Sequence, residues 1–113
     1  MDEALTHFQA AVRARPLYAD AWYDMGMAQK SLGRTDEAVA SWSRTLELEP
    51  RNTDALYNLA AALAEQGAAQ QSGAKLAQAA STFTRLLQIR PDYPRAREDL
   101  RQVEGRLREI GSR

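Results

Sequence analysis

Side chains that could carry out catalysis are few in this chain and are not grouped. His7 is the only histidine, cysteine is absent, and the aspartates and glutamates are spread along the sequence. A metal site or an acid-base relay needs several such groups close together. The chain also has no glycine-rich phosphate loop and no serine in a nucleophile-elbow pattern. We therefore expect neither an enzyme nor a cofactor or metal site.

Length and charge narrow the function classes further. The chain has 113 residues, enough for one domain, and its 15 basic residues balance 15 acidic ones. A net charge of zero gives no overall attraction to nucleic acid or to an anionic membrane. No apolar run approaches the roughly 20 residues needed to cross a bilayer, and the first residues are not those of a signal peptide. We expect a soluble, cytoplasmic chain without a membrane span and without a nucleic acid partner.

The elements that must position the remaining polar and aromatic side chains follow a regular spacing. A thirty-four-residue unit, 19–52, contains these residues in a characteristic order: Trp22, Met25, Gly26, Gln29, Ala38, Trp42 and Pro50. This pattern resembles the tetratricopeptide repeat, a helix-turn-helix element. The resemblance implies an all-α fold of antiparallel helix-turn-helix repeats, about six helices stacked as a short right-handed α-solenoid. It also implies a concave face that binds other proteins.

Irregular neighbours flank the regular unit. The same spacing makes residues 1–18 the second half of a preceding repeat, 53–93 a second repeat, and 94–110 a closing helix that caps the stack. The predicted organisation is a single domain over 1–113. We expect the chain to be a segment of a longer protein, because the first helix of the half repeat is missing.

The second repeat contains seven extra residues between Gly67 and Ala79. Alanine and glutamine in this insertion favour a helix, so the helix from Thr53 is expected to continue to about Gln71. Ser72 and Gly73 are then expected to make the turn. Seven residues are close to two helical turns, which keeps the apolar face in phase. The insertion is either a tolerated surface extension or a specific contact site.

Apolar residues three and four positions apart predict helices independently of the resemblance. Gly33 is expected to close the second helix, and Thr35 or Asp36 to cap the third. Asn52 or Thr53 is expected to cap the fourth. The residues expected to be buried on the third helix are Val39, Trp42, Leu46 and Leu48.

Residue sizes predict how closely the paired helices approach. Gly26 occupies a small slot inside a helix, where its cost of about 1 kcal/mol relative to alanine is offset by close packing. Trp22 and Trp42 occupy large slots and are both expected to lie in the core.

In proteins of this family the ligand usually lies against the first helix of each pair. That expectation, carried over slot by slot, selects a peptide-binding groove made of Asp20, Tyr23, Asp24, Met27, Lys30, Asp54, Tyr57, Asn58, Arg95 and Asp99. The same slots add Ser31, Ala61, Ala64, Glu65, Glu98, Gln102 and Arg106. Tyrosine and methionine offer large contact surfaces, and asparagine can both donate and accept hydrogen bonds. The alternative is that the charged members form only a solvated face and the tyrosines pack on neighbouring helices.

The charge of these slots indicates which partner segments fit. Members of this family capture the acidic carboxyl-terminal tails of heat-shock chaperones with lysine, arginine and asparagine. Asn58 matches such a clamp, but Asp20, Asp24 and Asp54 place negative charge where an acidic tail would have to lie. We expect a protein or peptide partner that offers a neutral or basic segment.

The two ends of the chain suggest an alternative function. Phe8 lies in the half repeat, whose usual partner helix is missing, and Leu100 and Leu107 belong to an apolar stripe on the closing helix. These three residues are candidates for docking, although the closing helix can equally serve only as a cap. The alternative is therefore a structural or regulatory segment that acts through its ends and its insertion, by self-association or by contact with its own parent chain.

Overall fold

A computed structural model describes residues 2–111; Met1 and residues 112–113 of the predicted domain lie outside this range. The described chain forms six α-helices and no strand, which confirms the predicted all-α class. The helices are α1 (Asp2–Ala14), α2 (Ala19–Ser31), α3 (Thr35–Leu48), α4 (Thr53–Gln70), α5 (Gly73–Ile89) and α6 (Ala96–Gly111). They belong to two compact units that divide after Ala55, hereafter unit 1 and unit 2. The division into one and a half repeats, an elongated repeat and a capping helix stays a prediction.

Side-chain caps fix the starts of α4 and α5. Asn52 Oδ1 accepts a hydrogen bond from the Ala55 N–H at 3.0 Å, as predicted, and Ser72 Oγ accepts one from the Lys75 N–H at 3.2 Å. Each bond satisfies a backbone donor that the helix itself leaves without a partner.

The predicted cap of α3 by Thr35 or Asp36 is wrong. The residue before this helix is Arg34, which makes no side-chain capping bond, and Thr35 is already the first helical residue. Asp36 lies in the first turn instead, where its negative charge is favourable near the positive end of the helix dipole.

The ends of α2 and α6 depend on left-handed backbone. Gly33 has a φ of 79°, and the N–H of Arg34 donates to the Gln29 carbonyl at 2.8 Å, so α2 closes at Gly33 as predicted. The closing helix was predicted to begin at Pro94, but α6 begins at Ala96. Arg95 has a φ of 68° and therefore cannot be part of a right-handed helix.

In unit 1, α1 packs on α2, and α2 packs on α3. The contact between α1 and α2 is formed by Leu5, Val12, Ala21 and Met25, with Phe8, Ala11, Trp22 and Leu32 at its edge. Gly26 of α2 lies against the indole of Trp42 on α3, which is only 1% exposed. The predicted close approach at Gly26 is therefore present.

A buried polar contact also joins α2 to α3. Ser41 Oγ donates a hydrogen bond to Gln29 Oε1 at 2.6 Å, and both side chains are buried. The prediction that Val39 and Leu48 are buried is wrong, because both are only half-buried. Ser41 and Thr45 are buried on this helix instead. The difference arises because the packed face of α3 follows Ala38, Trp42 and Thr45, not the positions that are most hydrophobic.

The prediction that Trp22 lies in the core is wrong. It is half-buried, and its Nε1–H donates to the Pro16 carbonyl at 2.8 Å. Arg44 lies over its ring, 5.9 Å from the centroid. Trp22 therefore ties the turn between α1 and α2 to the start of α2. Its indole N–H is satisfied by the Pro16 carbonyl of that turn.

In unit 2, α4 lies close to α5 at Gly67, and α5 packs on α6. The side chains of Leu56, Leu76, Phe83 and Leu86 are almost completely buried. The inserted residues continue α4 to Gln70, as predicted. The turn differs slightly from the prediction: Gln71, with a φ of 50°, and Ser72 make it, while Gly73 is the first residue of α5.

Candidate functional site

Five predicted groove residues lie on the outer side of α2. Its buried residues include Ala21, Met25 and Gln29, which face the core of unit 1. The side chains outside that core are either exposed, as in Asp20, Asp24 and Met27, or half-buried, as in Tyr23 and Lys30. Asp54, in the first turn of α4, is also exposed.

Asp20 and Asp24 lie one turn apart on this outer side. Partial burial raises the pKa of Asp24 above its ordinary value, and the negative charge of Asp20 raises it further. The fold therefore disfavours the charged form of Asp24, as expected for like charges four residues apart on a helix. A positive charge brought next to these two carboxylates would relieve their repulsion.

In unit 2 the structure brings two predicted residues, Tyr57 and Asp99, into direct contact. The Tyr57 hydroxyl donates to Asp99 Oδ2 at 2.6 Å. The Tyr57 ring stacks on Tyr93, with centroids 5.2 Å apart, and meets Phe83 edge-on at 5.9 Å. Burial and the hydrogen bond to Asp99 raise the pKa of Tyr57 to about 12, while the positive charge of Arg95 acts in the opposite direction. Tyr57 of α4 is thus held by contacts from α5, from α6 and from the turn between these two helices.

A cleft with a volume of about 300 Å³ begins beside this tyrosine, and we call it the α4–α6 cleft. Its lining residues are Tyr57, Ala61, Ala64, Glu65, Ala68, Phe83, Asp99, Gln102, Val103 and Arg106. Most of them occupy slots that the family resemblance selects for ligand contact. Sequence reasoning missed Phe83 and Val103, which form its floor, and Ala68, which belongs to the insertion. Asn58 and Arg95 were predicted for the groove but do not line this cleft.

The three predicted docking residues are partly used within their own units. Phe8 is half-buried at the edge of the contact between α1 and α2. Leu100 and Leu107 are half-buried on α6, beside the buried Val103. None of the three is a fully exposed apolar side chain.

In residues 2–111, no group of three or more histidine, aspartate or glutamate side chains is arranged to hold a metal ion. Within that range, no helix is both long enough and apolar enough to cross a membrane.

Substituting Tyr57 by phenylalanine tests the contact with Asp99. The pKa of about 12 exceeds the roughly 10 of an unfolded tyrosine, so the stabilisation is fully present below about pH 10 and is lost as pH rises through 12. Tyr57→Phe should lower the free energy of unfolding by about 1 kcal/mol at pH 8, and the difference from wild type should shrink above pH 10. Urea denaturation at several pH values measures both effects.

Tyr18→Phe is the matched control, because Tyr18 is 43% exposed and its ring contact is with Arg15. That variant should match wild type at every pH. A difference between wild type and Tyr57→Phe that stayed constant above pH 10 would contradict the assigned hydrogen bond.

Comparisons with known proteins match more than half of the chain to one kind of repeat. A family model described as TPR repeat matches residues 29–67, and one described as tetratricopeptide repeat matches residues 7–40. A peroxisomal targeting signal receptor of Yarrowia lipolytica is 31% identical over 113 residues, 97% of this chain and 19% of the receptor. An uncharacterized protein of Methanocaldococcus jannaschii is 36% identical over 58 residues, 51% of this chain and 67% of that protein. The chain thus spans only about a fifth of the receptor's length.

Solved structures show the same fold. The first TPR of Spaghetti (RPAP3), bound to the HSP90 peptide SRMEEVD, superposes with a TM-score of 0.80 at 24% identity, covering 94% of this chain and 79% of that one. The Yersinia enterocolitica type III secretion chaperone SycD, in complex with a peptide of the translocator YopD, gives 0.70 at 20% identity, covering 97% and 79%. At these identities the likeness establishes the arrangement of helices.

Proposed function

Because this chain belongs to the tetratricopeptide repeat family, we propose that it is a protein-interaction module that binds an extended or helical segment of a partner protein, as part of a larger protein or complex. The observation that carries the proposal is the outer side of α2. There Asp20, Asp24 and Met27 are exposed, although the opposite side of the same helix is buried. A helix that exposes a large apolar side chain beside two carboxylates offers contact surface and charge together.

Known relatives support binding as the general role. Spaghetti and SycD have been seen with bound peptides, and the Yarrowia lipolytica relative is a targeting signal receptor. The peptide bound by Spaghetti contains two glutamates and ends in an aspartate. The acidic outer side of α2 makes such a segment a poor fit here, because like charges would have to approach.

We expect a neutral or basic partner segment instead. The negative charge of Asp20 disfavours the charged form of Asp24, so a lysine or arginine placed between the two carboxylates gains attraction and relieves repulsion at once. The exposed Met27, one turn further along α2, would contact an apolar side chain near that cation.

Paired peptides that differ only in charge test this function. Two amidated peptides share one apolar frame, and one carries lysines where the other carries glutamates. The basic peptide should bind wild type more tightly at low salt, and the Asp20→Asn, Asp24→Asn double variant should lose about fivefold of that affinity. Isothermal titration calorimetry gives the dissociation constant of each peptide for wild type and for the double variant. Tighter binding of the acidic peptide would reject the charge preference.

Two controls separate binding from stability. Glu104→Gln removes one negative charge from an exposed position of α6 and should leave basic-peptide binding unchanged. Asp24→Asn should not lower the free energy of unfolding at pH 7. A carboxyl with a raised pKa contributes stability at pH below its unfolded value and loses it as pH rises through the folded value, so at pH 7 its charge is already a cost.

A further inference from the structure

The α4–α6 cleft has an apolar interior that no large side chain of its own walls occupies. Its floor consists of Phe83, which is 1% exposed, and Val103, which is 3% exposed. Alanines 61, 64 and 68 of α4 form one wall and contribute only methyl groups. The space of about 300 Å³ that remains between α4, α5 and α6 is large enough to receive a side chain from another molecule.

The polar groups at the rim of the cleft are not equivalent. Asp99 already accepts the hydrogen bond from Tyr57. Glu65, on the opposite wall, also has an interaction partner. Arg106 is exposed and makes no ion pair or hydrogen bond within residues 2–111, so its positive charge is the one available to a ligand.

The insertion builds the far end of the same cleft. Ala68 lies in the turns that the seven extra residues add to α4. Beyond it, a smaller hollow of about 60 Å³ is lined by Gln71, Ile110 and again Arg106. Arg106 thus stands where the two spaces meet. A repeat of the regular length would end this wall near Gly67.

We infer that the α4–α6 cleft is an anchor site for one aliphatic side chain of a bound protein segment, with an acidic side chain next to it pairing with Arg106. This inference rests on the proposed function and names the partner chemistry recognised by unit 2. Phe83 and Val103 are already almost completely buried, so the half-buried methyl groups of the alanine wall supply most of the apolar surface that the aliphatic group covers. The Arg106 guanidinium, which has no ion pair or hydrogen bond within residues 2–111, selects a neighbouring carboxylate. The insertion is then part of a binding site, since Ala68 completes the wall against which the side chain lies.

Blocked dipeptides test the inference directly. Acetylated and amidated leucyl-glutamate, leucyl-glutamine and glycyl-glutamate are titrated into isotopically labelled protein, and backbone amide shifts are followed by nuclear magnetic resonance. Leucyl-glutamate should move the signals of Ala64, Ala68 and Val103 with millimolar affinity. It should bind about threefold more tightly than the glutamine form and about tenfold more tightly than the glycine form.

Three variants assign the contacts. Arg106→Gln should abolish the preference for glutamate over glutamine, while Arg101→Gln, which removes the same charge from an exposed position outside the cleft, should leave it intact. Ala64→Leu should fill the cleft and abolish binding of all three dipeptides. If Ala64→Leu does not fold, Ala61→Leu is the second filling variant, and the exposed Arg106 decides the charge preference in either case.

The outcomes separate this inference from the proposed function. No shifts at the cleft, or a glutamate preference that survives Arg106→Gln, overturns the anchor site. If the basic peptide of the earlier titration still binds in that case, the general binding function stands. If Ala64→Leu abolishes dipeptide binding while the α2 substitutions do not, the anchor site is supported independently of the charge preference on α2.

Discussion

Replacing Trp42 by alanine should lower the free energy of unfolding by about 3 to 5 kcal/mol, the largest effect we expect from a single truncation in this chain. Trp42 is only 1% exposed, and its indole packs from α3 against Gly26 of α2. Its removal therefore leaves a cavity between the two helices that the surrounding side chains cannot fill. The total free energy of unfolding of a small domain is about 5 to 15 kcal/mol, so the variant should be close to unfolding at 37 °C. Urea denaturation followed by circular dichroism measures the change.

Trp22→Ala is the matched comparison. Trp22 is half-buried and has one hydrogen bond, to the Pro16 carbonyl, so its truncation should cost only about 1 to 2 kcal/mol. Equal losses for the two tryptophans would show that Trp42 does not occupy the central position assigned to it.

Gly26→Ala should destabilise the protein by about 2 kcal/mol, although alanine is the better helix former. A Cβ at this position would lie 2.5 Å from Trp42 Nε1 and 2.7 Å from Trp42 Cδ1. Both atoms belong to a rigid, buried ring, so relief requires α2 and α3 to move apart. Thermal and urea denaturation of the variant measure the cost.

Gly105→Ala should give the opposite result, because this position has room for a methyl group. This glycine also lies inside a helix, but the nearest atom to an added Cβ is Arg108 Nη2 at 3.8 Å. The helix preference of alanine should then dominate and stabilise the protein by up to about 1 kcal/mol. Combining Gly26→Ala with Trp42→Phe should cost less than the sum of the two single changes, because the smaller ring makes room. Additive losses would argue against a direct clash.

Most of the fold follows from local signals. Apolar spacing predicts all six helices, and turn-forming residues such as Gly33 and Asn52 place two helix boundaries correctly. These signals work because a helix's apolar face and its caps depend on residues within a few positions of each other. The cap of α3 was missed because Arg34, a residue without an acceptor side chain, takes the position before the helix.

The candidate site was predictable only in part. The repeat slots select Tyr57 and Asp99 as candidate residues. Their hydrogen bond joins side chains forty-two residues apart in the sequence, so it depends on how α4 and α6 pack, and no local pattern encodes that packing. Phe83 and Val103 look like ordinary core residues in the sequence. Their role as the floor of a cleft arises because three alanines on α4 leave space above them. That these surfaces bind a partner stays a prediction.

The buried pair of Gln29 and Ser41 has a consequence for how the chain avoids misfolding. Helices of similar pattern recur in this chain, and a fold of repeats can fail by pairing the wrong ones. The slots of Gln29 and Ser41 are occupied in the next repeat by Leu63 and Thr82, and the Thr82 hydroxyl donates to the Gln78 carbonyl of its own helix. If α2 paired with α5 in place of α3, the Thr82 hydroxyl could donate to Gln29 only by giving up its bond to the Gln78 carbonyl, so the wrong pair would have one hydrogen bond fewer, at a cost of about 1 kcal/mol. The contact between Gln29 and Ser41 thus favours the pairing of α2 with α3 over its pairing with a similar helix.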